Sequence, residues 1–114
     1  MLLIEDSSLV VEALRVLLEE HGYEVEAADS IASARRAVEQ RVPDIVLLDI
    51  ALPDGDGLEL ARDWVQTHSA VVLALTGYSD EATRARCLEA GCRAVLVKPV
   101  PIADLLSQLG ALAT

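Results

Sequence analysis

Two rhythms of apolar and polar residues alternate along this chain. Short apolar runs recur at Leu2-Leu3-Ile4, Ile45-Val46-Leu47-Leu48, Val71-Val72-Leu73-Ala74-Leu75 and Ala94-Val95-Leu96-Val97. Near-continuous runs of this length predict strands covered on both faces, as in a parallel sheet. A fifth stretch, Tyr23-Glu24-Val25-Glu26-Ala27, alternates with period two and predicts a half-buried strand. Between these runs the period lengthens to that of a helix. Leu9/Val10, Ala13/Leu14 and Leu17/Leu18 recur at i, i+4 and i+8 behind Ser7 and Ser8, either of which can cap. Gly22 then stands where a helix ends. Ile31, Ala34 and Val38 place a second helix over 30–40, and Pro43 breaks the chain before the next strand. Leu58, Ala61, Trp64 and Val65 mark a third helix ending near His68. A fourth covers 79–90 and stops at Gly91, and Ile102, Leu105/Leu106, Leu109 and Leu112 mark a fifth. Segment 50–57 is dense in Pro, Asp and Gly and predicts a loop.

Strict alternation of five strands and five helices predicts an α/β sandwich with right-handed crossovers. Sheets of this kind bind ligands at the C-terminal edge of their strands. Strand 1 ends in Glu5-Asp6, strand 3 in Asp49, strand 4 in Thr76 and strand 5 in Lys98. Three carboxylates, a hydroxyl and an ammonium thus emerge directly from apolar runs. Each has a plainer reading taken singly: Asp49 as a turn residue, Glu5-Asp6 as decoration of a helix start, Thr76-Gly77 as a turn, Lys98 as a solvated charge. Their common edge is what points to a site. Like charges about 4 Å apart repel by about 1 kcal/mol in water and about 4 kcal/mol at an effective dielectric of about 20. Protonating one carboxylate or binding a cation relieves that repulsion. An all-oxygen set with open positions suits Mg²⁺. Lys98 and Thr76 then remain to meet an anion. The set resembles a phosphoryl-transfer site with a carboxylate nucleophile.

Composition narrows the partners. At 114 residues the chain fits one domain, 1–114, with little room for a second. It carries 19 Asp and Glu against 9 Lys and Arg, a formal net charge of −10. That balance argues against direct nucleic-acid binding and against an anionic membrane surface. With 53% hydrophobic residues, the acidity does not predict disorder. No apolar run approaches the roughly 18 residues of a membrane span, and no signal-peptide pattern opens the chain. Cys87 and Cys92, five apart, are expected to be reduced, partly buried thiols, consistent with a reducing compartment.

These motifs carry a family resemblance. Ile4-Glu5-Asp6-Ser7, the run Leu48-Asp49-Ile50-Ala51-Leu52-Pro53-Asp54-Gly55-Asp56-Gly57, Leu75-Thr76-Gly77, Ala90-Gly91 and Leu96-Val97-Lys98-Pro99 together resemble the receiver domain of two-component response regulators. The resemblance implies a flavodoxin-like (βα)5 three-layer sandwich with strand order 2-1-3-4-5. Asp49 would accept a phosphoryl group from a histidine kinase or a histidine phosphotransfer protein. Asp6 and Asp49 would bind Mg²⁺ with the backbone carbonyl of Ala51, and Glu5 would act through the metal's water shell. Lys98 would pair with a phosphoryl oxygen, Thr76 would hydrogen-bond the group, Gly77 would leave room for it, and Lys98-Pro99 would be cis. The protein would be cytoplasmic and no enzyme beyond its own phosphorylation and slow autodephosphorylation. An output domain or a homodimer partner would engage helix 4, strand 5 and helix 5.

This chain departs from the family pattern at several positions. Its acidic pair is Glu-Asp rather than Asp-Asp. Val95 stands where an aromatic usually lies three residues before the lysine, so no ring can swing inward when Thr76 moves. Val100 follows Pro99 where Phe is common. Ala51 and Tyr78, two residues after Asp49 and Thr76, flank the phosphoryl position, and Tyr78 can shield it from water. The rival reading is a degenerate receiver that is never phosphorylated and serves as a constitutive interaction module. A flavin-binding protein of the same architecture fits poorly, because Glu5 and Asp6 would repel a flavin phosphate. Trp64 is expected to be half-buried, His21 and His68 to be structural, and Asp54 and Asp56 to belong to the turn, within reach of the metal's outer shell. Arg84, Arg86 and Arg93 are expected on a solvated helix face or a partner surface.

Overall fold

The computed structural model describes residues 1–112, so the last two residues of the expected domain lie outside it. Strand β1 (Leu2–Ile4) leads to helix α1 (Ser8–Glu20), and β2 (Glu26–Ala28) to α2 (Ile31–Gln40). After β3 (Ile45–Asp49) a small hairpin, β4 (Ala51–Leu52) and β5 (Gly55–Asp56), precedes α3 (Gly57–His68). Then come β6 (Val71–Thr76), α4 (Glu81–Glu89), β7 (Ala94–Val97) and α5 (Ile102–Leu112). The main sheet is parallel, in the order β2-β1-β3-β6-β7. With the hairpin set aside, this is the predicted 2-1-3-4-5 flavodoxin-like order.

The apolar runs look continuous because both faces of the pleat are covered. Leu3, Leu47, Leu73, Leu75 and Leu96 meet Leu14 and Leu18 of α1 and Leu105 and Leu109 of α5. Their neighbours Leu2, Ile4, Val46, Leu48, Val72 and Ala74 meet α2, α3 and Cys87 of α4. Each fully buried Leu contributes about 1.5–3 kcal/mol by leaving water. The Ala- and Leu-built core therefore compensates for the scarcity of aromatics. Trp64 belongs to it: only 3% of its surface is exposed, so it is a core residue rather than the half-buried one expected.

Other elements also differ from the pattern. The alternating stretch 23–27 predicts a longer β2 than forms, because β1 offers only Leu2, Leu3 and Ile4 as partners. Tyr23 and Val25 instead pack beside the α1/α5 core. Helix α4 begins at Glu81 rather than 79, since Asp80 takes the cap by accepting the Thr83 amide at 3.0 Å. The turn-dense loop holds the β4–β5 hairpin, whose Asp54 reaches α2. Its carboxylate accepts the amides of Ile31 (2.8 Å) and Ala32 (3.1 Å), while Ser30 Oγ accepts that of Ser33. The free N–H groups of the first turn of α2 are thereby satisfied. Those backbone hydrogen bonds hold the Asp54 carboxyl below the usual carboxylate range. Cys87 and Cys92 are both free and buried, and burial pushes the Cys92 thiol up to about 12.

Candidate functional site

The sheet's C-terminal edge gathers the residues that end its strands. Asp49 is the last residue of β3, Thr76 the last of β6, Glu5 and Asp6 follow β1, and Lys98 follows β7. Parallel register sets β1, β3 and β6 side by side, so their ends converge on one point. Glu5, Asp49 and Thr76 are buried polar residues, with 2%, 4% and 1% of their surfaces exposed. Asp6 is exposed. The peptide bond between Lys98 and Pro99 is cis, as expected.

Lys98 organises the cluster. Its Nζ donates to Glu5 Oε2 at 2.6 Å and to Asp49 Oδ2 at 2.9 Å. The other Asp49 oxygen accepts the Ala51 amide at 2.9 Å, and the other Glu5 oxygen accepts the Ser7 amide at 3.2 Å. Each buried carboxylate thus has a partner on both oxygens, as buried charges require. The Lys98 backbone amide donates to the Thr76 carbonyl at 2.7 Å, tying the lysine to the hydroxyl-bearing strand. Thr76 Oγ1 accepts the Tyr78 amide at 3.0 Å, which leaves the hydroxyl proton available to a ligand.

Electrostatics of the cluster are asymmetric. Burial raises the Glu5 carboxyl above its ordinary range, the adjacent Asp49 adds to the rise, and Lys98 opposes it. Burial pulls the Lys98 ammonium down, but its hydrogen bonds to Glu5 and Asp49 more than compensate, so it stays above its ordinary value. One ammonium faces three carboxylates. Glu5, Asp6 and Asp49 each offer an oxygen, and the three lie within 4.8 Å of one another. The set is hard, anionic and half-open, with Asp6 on the solvent side. It can hold a metal ion of the kind that prefers oxygen.

The structure therefore brings Glu5, Asp6, Asp49, Thr76 and Lys98 together, with Ala51 at the base of the β4–β5 hairpin. It adds one contact that the pattern did not indicate: Glu5 is a direct partner of Lys98. Asp54 accepts the first two amides of α2, Asp56 caps α3, and Asp56 also pairs with Arg86 of α4 at 3.2 Å. Nothing local in the sequence signals that ion pair, which spans 30 positions. Tyr78 lines a groove with Ile50 and Ala51, and 66% of its surface is exposed. His21 Nδ1 sits 2.8 Å from the Leu17 carbonyl, a structural contact at the end of α1.

A doubly wound sheet of this order, with acids, a hydroxyl and a lysine on one edge, is the arrangement of a response-regulator receiver. Comparison with known proteins agrees. The model of the response regulator receiver domain matches residues 1–110, and the chain belongs to that family. It is 35% identical over 108 residues to the KDP operon transcriptional regulatory protein KdpE of Escherichia coli (strain K12), covering 95% of this chain and 48% of KdpE. It is 33% identical over 112 residues to the virulence transcriptional regulatory protein PhoP of Salmonella typhimurium (strain 14028s / SGSC 2262), covering 97% of this chain and 50% of PhoP. The chain spans about half the length of these relatives. A CheY-like response regulator receiver domain protein from Methanospirillum hungatei JF-1 superimposes with a TM-score of 0.88 at 30% identity, covering 96% of this chain and 89% of that one. No helix among the described residues is long and apolar enough to cross a membrane.

Proposed function

We propose that this domain is a phosphorylation-operated switch in which Asp49 accepts the phosphoryl group. The observation that carries the reading is the setting of Asp49: a buried carboxylate at a strand end, held by the Ala51 amide on one oxygen and Lys98 Nζ on the other. Such a carboxylate is oriented for attack on phosphorus. An Asp49 oxygen forms the new O–P bond as the P–N bond of a donor phosphohistidine breaks. The imidazole leaves with the electron pair and takes up a proton. Lys98 stays protonated and turns from Asp49 to the phosphoryl oxygens, and the Thr76 hydroxyl donates to them. Glu5, Asp6 and Asp49, with the Ala51 carbonyl, would hold Mg²⁺. When bound, Mg²⁺ would supply positive charge to the phosphoryl oxygens. Beyond its own phosphorylation and slow dephosphorylation the domain catalyses nothing.

The donor is a histidine kinase or a histidine phosphotransfer protein, and the setting is the cytoplasm. An apolar groove lined by Leu9, Ala13, Leu17, Pro99 and Val100 runs up to Lys98, and Leu9 is 83% exposed. A donor seated there has its histidine beside the site. The names of KdpE and PhoP as transcriptional regulatory proteins support an output partner that acts on transcription. That partner, or a second copy, engages α4, β7 and α5, and the domain itself binds no nucleic acid.

Incubation with acetyl phosphate and Mg²⁺ tests the reading. The expected result is a mass increase of one phosphoryl group that Asp49→Asn and chelation of the metal both abolish. No Asp49-dependent increase would instead favour a constitutive interaction module.

A further inference from the structure

Helix α4 contributes little to the core. Where α3 buries Gly57, Leu58, Leu60, Ala61 and Trp64, α4 buries Cys87, and its Leu88 stays exposed. A helix with so little buried apolar surface shifts and opens at low cost. Its polar ties therefore weigh more in deciding where it sits. The tie between Asp80 and Thr83 is local to the start of α4. Another crosses the molecule: an Arg86 Nη donates to Asp56 Oδ2 at 3.2 Å.

Asp56 is more than a surface acid. Its other oxygen accepts the Leu58 amide at 2.9 Å, which caps α3. Its backbone stands opposite Ala51 in the β4–β5 hairpin. Ala51 in turn donates its amide to Asp49 Oδ1 at 2.9 Å. A continuous chain of contacts, Asp49 to Ala51 to Asp56 to Arg86, thus joins the acceptor carboxylate to the helix that buries fewest of its own residues.

We propose that the Asp56–Arg86 ion pair is the tether through which the state of Asp49 sets the position of α4. The proposal rests on Asp49 being the phosphoryl acceptor. A phosphoryl group carries about −1.5 to −2 of charge, and on Asp49 it takes the place of the single negative charge of the carboxylate. Placed on Asp49, that charge acts on the Ala51 amide at the base of the hairpin. The hairpin carries the response to Asp56, and Arg86 carries it to α4. Arg86 is a positioning residue, acting on Asp49 only through the hairpin.

Native-state hydrogen exchange of the amides in 81–89, with and without acetyl phosphate and Mg²⁺, tests the tether. The variants are Arg86→Gln, Asp56→Asn and the double substitution. Asn at 56 keeps an oxygen for the Leu58 amide and loses the charge. Exposed ion pairs of this kind shift such equilibria by a factor of about 1.5 to 5. Without phosphoryl donor, either single variant is expected to speed exchange in α4 by that factor, with α3 unchanged and the double variant no faster than the singles. With donor, the wild type changes its α4 exchange, and Arg86→Gln shows a smaller change at the same degree of phosphorylation by mass. An α4 response as large in Arg86→Gln as in the wild type overturns the tether while leaving the acceptor role standing. A wild type that takes no phosphoryl group overturns the acceptor role, and the coupling with it.

Discussion

Glu5 and Lys98, 93 positions apart in the sequence, meet at 2.6 Å across the edge of the sheet. The contact is shorter than the one between Lys98 and Asp49, at 2.9 Å. Two carboxylates therefore share one ammonium, and Glu5 does more than stand near a metal. Its extra methylene relative to Asp gives it reach toward the lysine while its other oxygen still accepts the Ser7 amide.

Replacing Lys98 by Met leaves Glu5 and Asp49 facing each other without a counter-charge. Breaking a buried pair costs about 3–5 kcal/mol. The Lys98 side chain is one-quarter exposed, so about 2 kcal/mol is expected at neutral pH. The pH dependence has a definite sign. The raised Lys98 value means its contribution is fully present at neutral pH and is lost as pH rises through its folded value. Glu5 is raised as well, so its ionisation opposes stability as pH climbs above its ordinary range. The cost of Lys98→Met therefore shrinks in acid, where Glu5 is protonated. Added Mg²⁺ is expected to raise the Tm of Lys98→Met more than that of the wild type, because the cation takes the place of the ammonium. Thermal melts across pH, with and without Mg²⁺, check both expectations. An equal Mg²⁺ effect in the two proteins argues against the cation taking the place of Lys98, and no effect in either argues against a metal at these carboxylates.

The strand-end residues Glu5, Asp49, Thr76 and Lys98 are legible in the sequence because each interrupts an apolar run abruptly. Parallel pairing of those runs then brings the ends together. The β4–β5 hairpin is not legible, since strands of two residues carry no period. Nor are the task of Asp54 and the ion pair of Asp56 visible, because their partners Ile31, Ala32 and Arg86 lie far away in sequence. The same limit hides the full burial of Trp64. Its helical face is evident from spacing, but its depth depends on the β-sheet and α2–α4 packing around one core.

Asp54→Ala removes the acceptors of the Ile31 and Ala32 amides at the start of α2. Those hydrogen bonds lower the folded value of the Asp54 carboxyl. Its contribution is thus present above the unfolded value, about 3.9 for Asp, and is lost as pH falls through the lower folded value. Urea melts are expected to show Asp54→Ala less stable than the wild type at neutral pH. The difference closes in strong acid. A pH-independent difference would mean that the carboxylate charge plays no part in holding α2.

Tyr78 sits on the groove that Ile50 and Ala51, the two residues after Asp49, also line. Ala51 is small and leaves that side of the site open. A ring leaning from that groove over Asp49 would slow the approach of water to a phosphoryl group there. Tyr78→Ala is expected to shorten the lifetime of the phosphorylated protein severalfold, followed as loss of the phosphoryl group by mass after the donor is removed. An unchanged decay rate assigns Tyr78 to the loop surface alone.

Gly57 begins α3 directly behind the acceptor. A Cβ at this position would lie 2.9 Å from the Asp49 carbonyl oxygen, 3.1 Å from Ile50 Cα and 3.3 Å from Leu48 Cδ1. Two of those atoms are backbone, so a side-chain rotation cannot relieve the clash. Either α3 backs away from the sheet or the end of β3 moves. Overpacking of this kind costs about 1–3 kcal/mol. Moving the end of β3 also carries Asp49 away from Lys98 and the Ala51 amide. Gly57→Ala is therefore expected to lower stability by that amount and to slow phosphorylation by acetyl phosphate. Gly110→Ala, with nothing within 4 Å of the added methyl, is the control for an alanine placed without a clash. Urea melts and phosphorylation rates on the two variants check the contrast. A Gly57→Ala protein as stable and as quickly phosphorylated as the wild type would mean that α3 can retreat without disturbing Asp49.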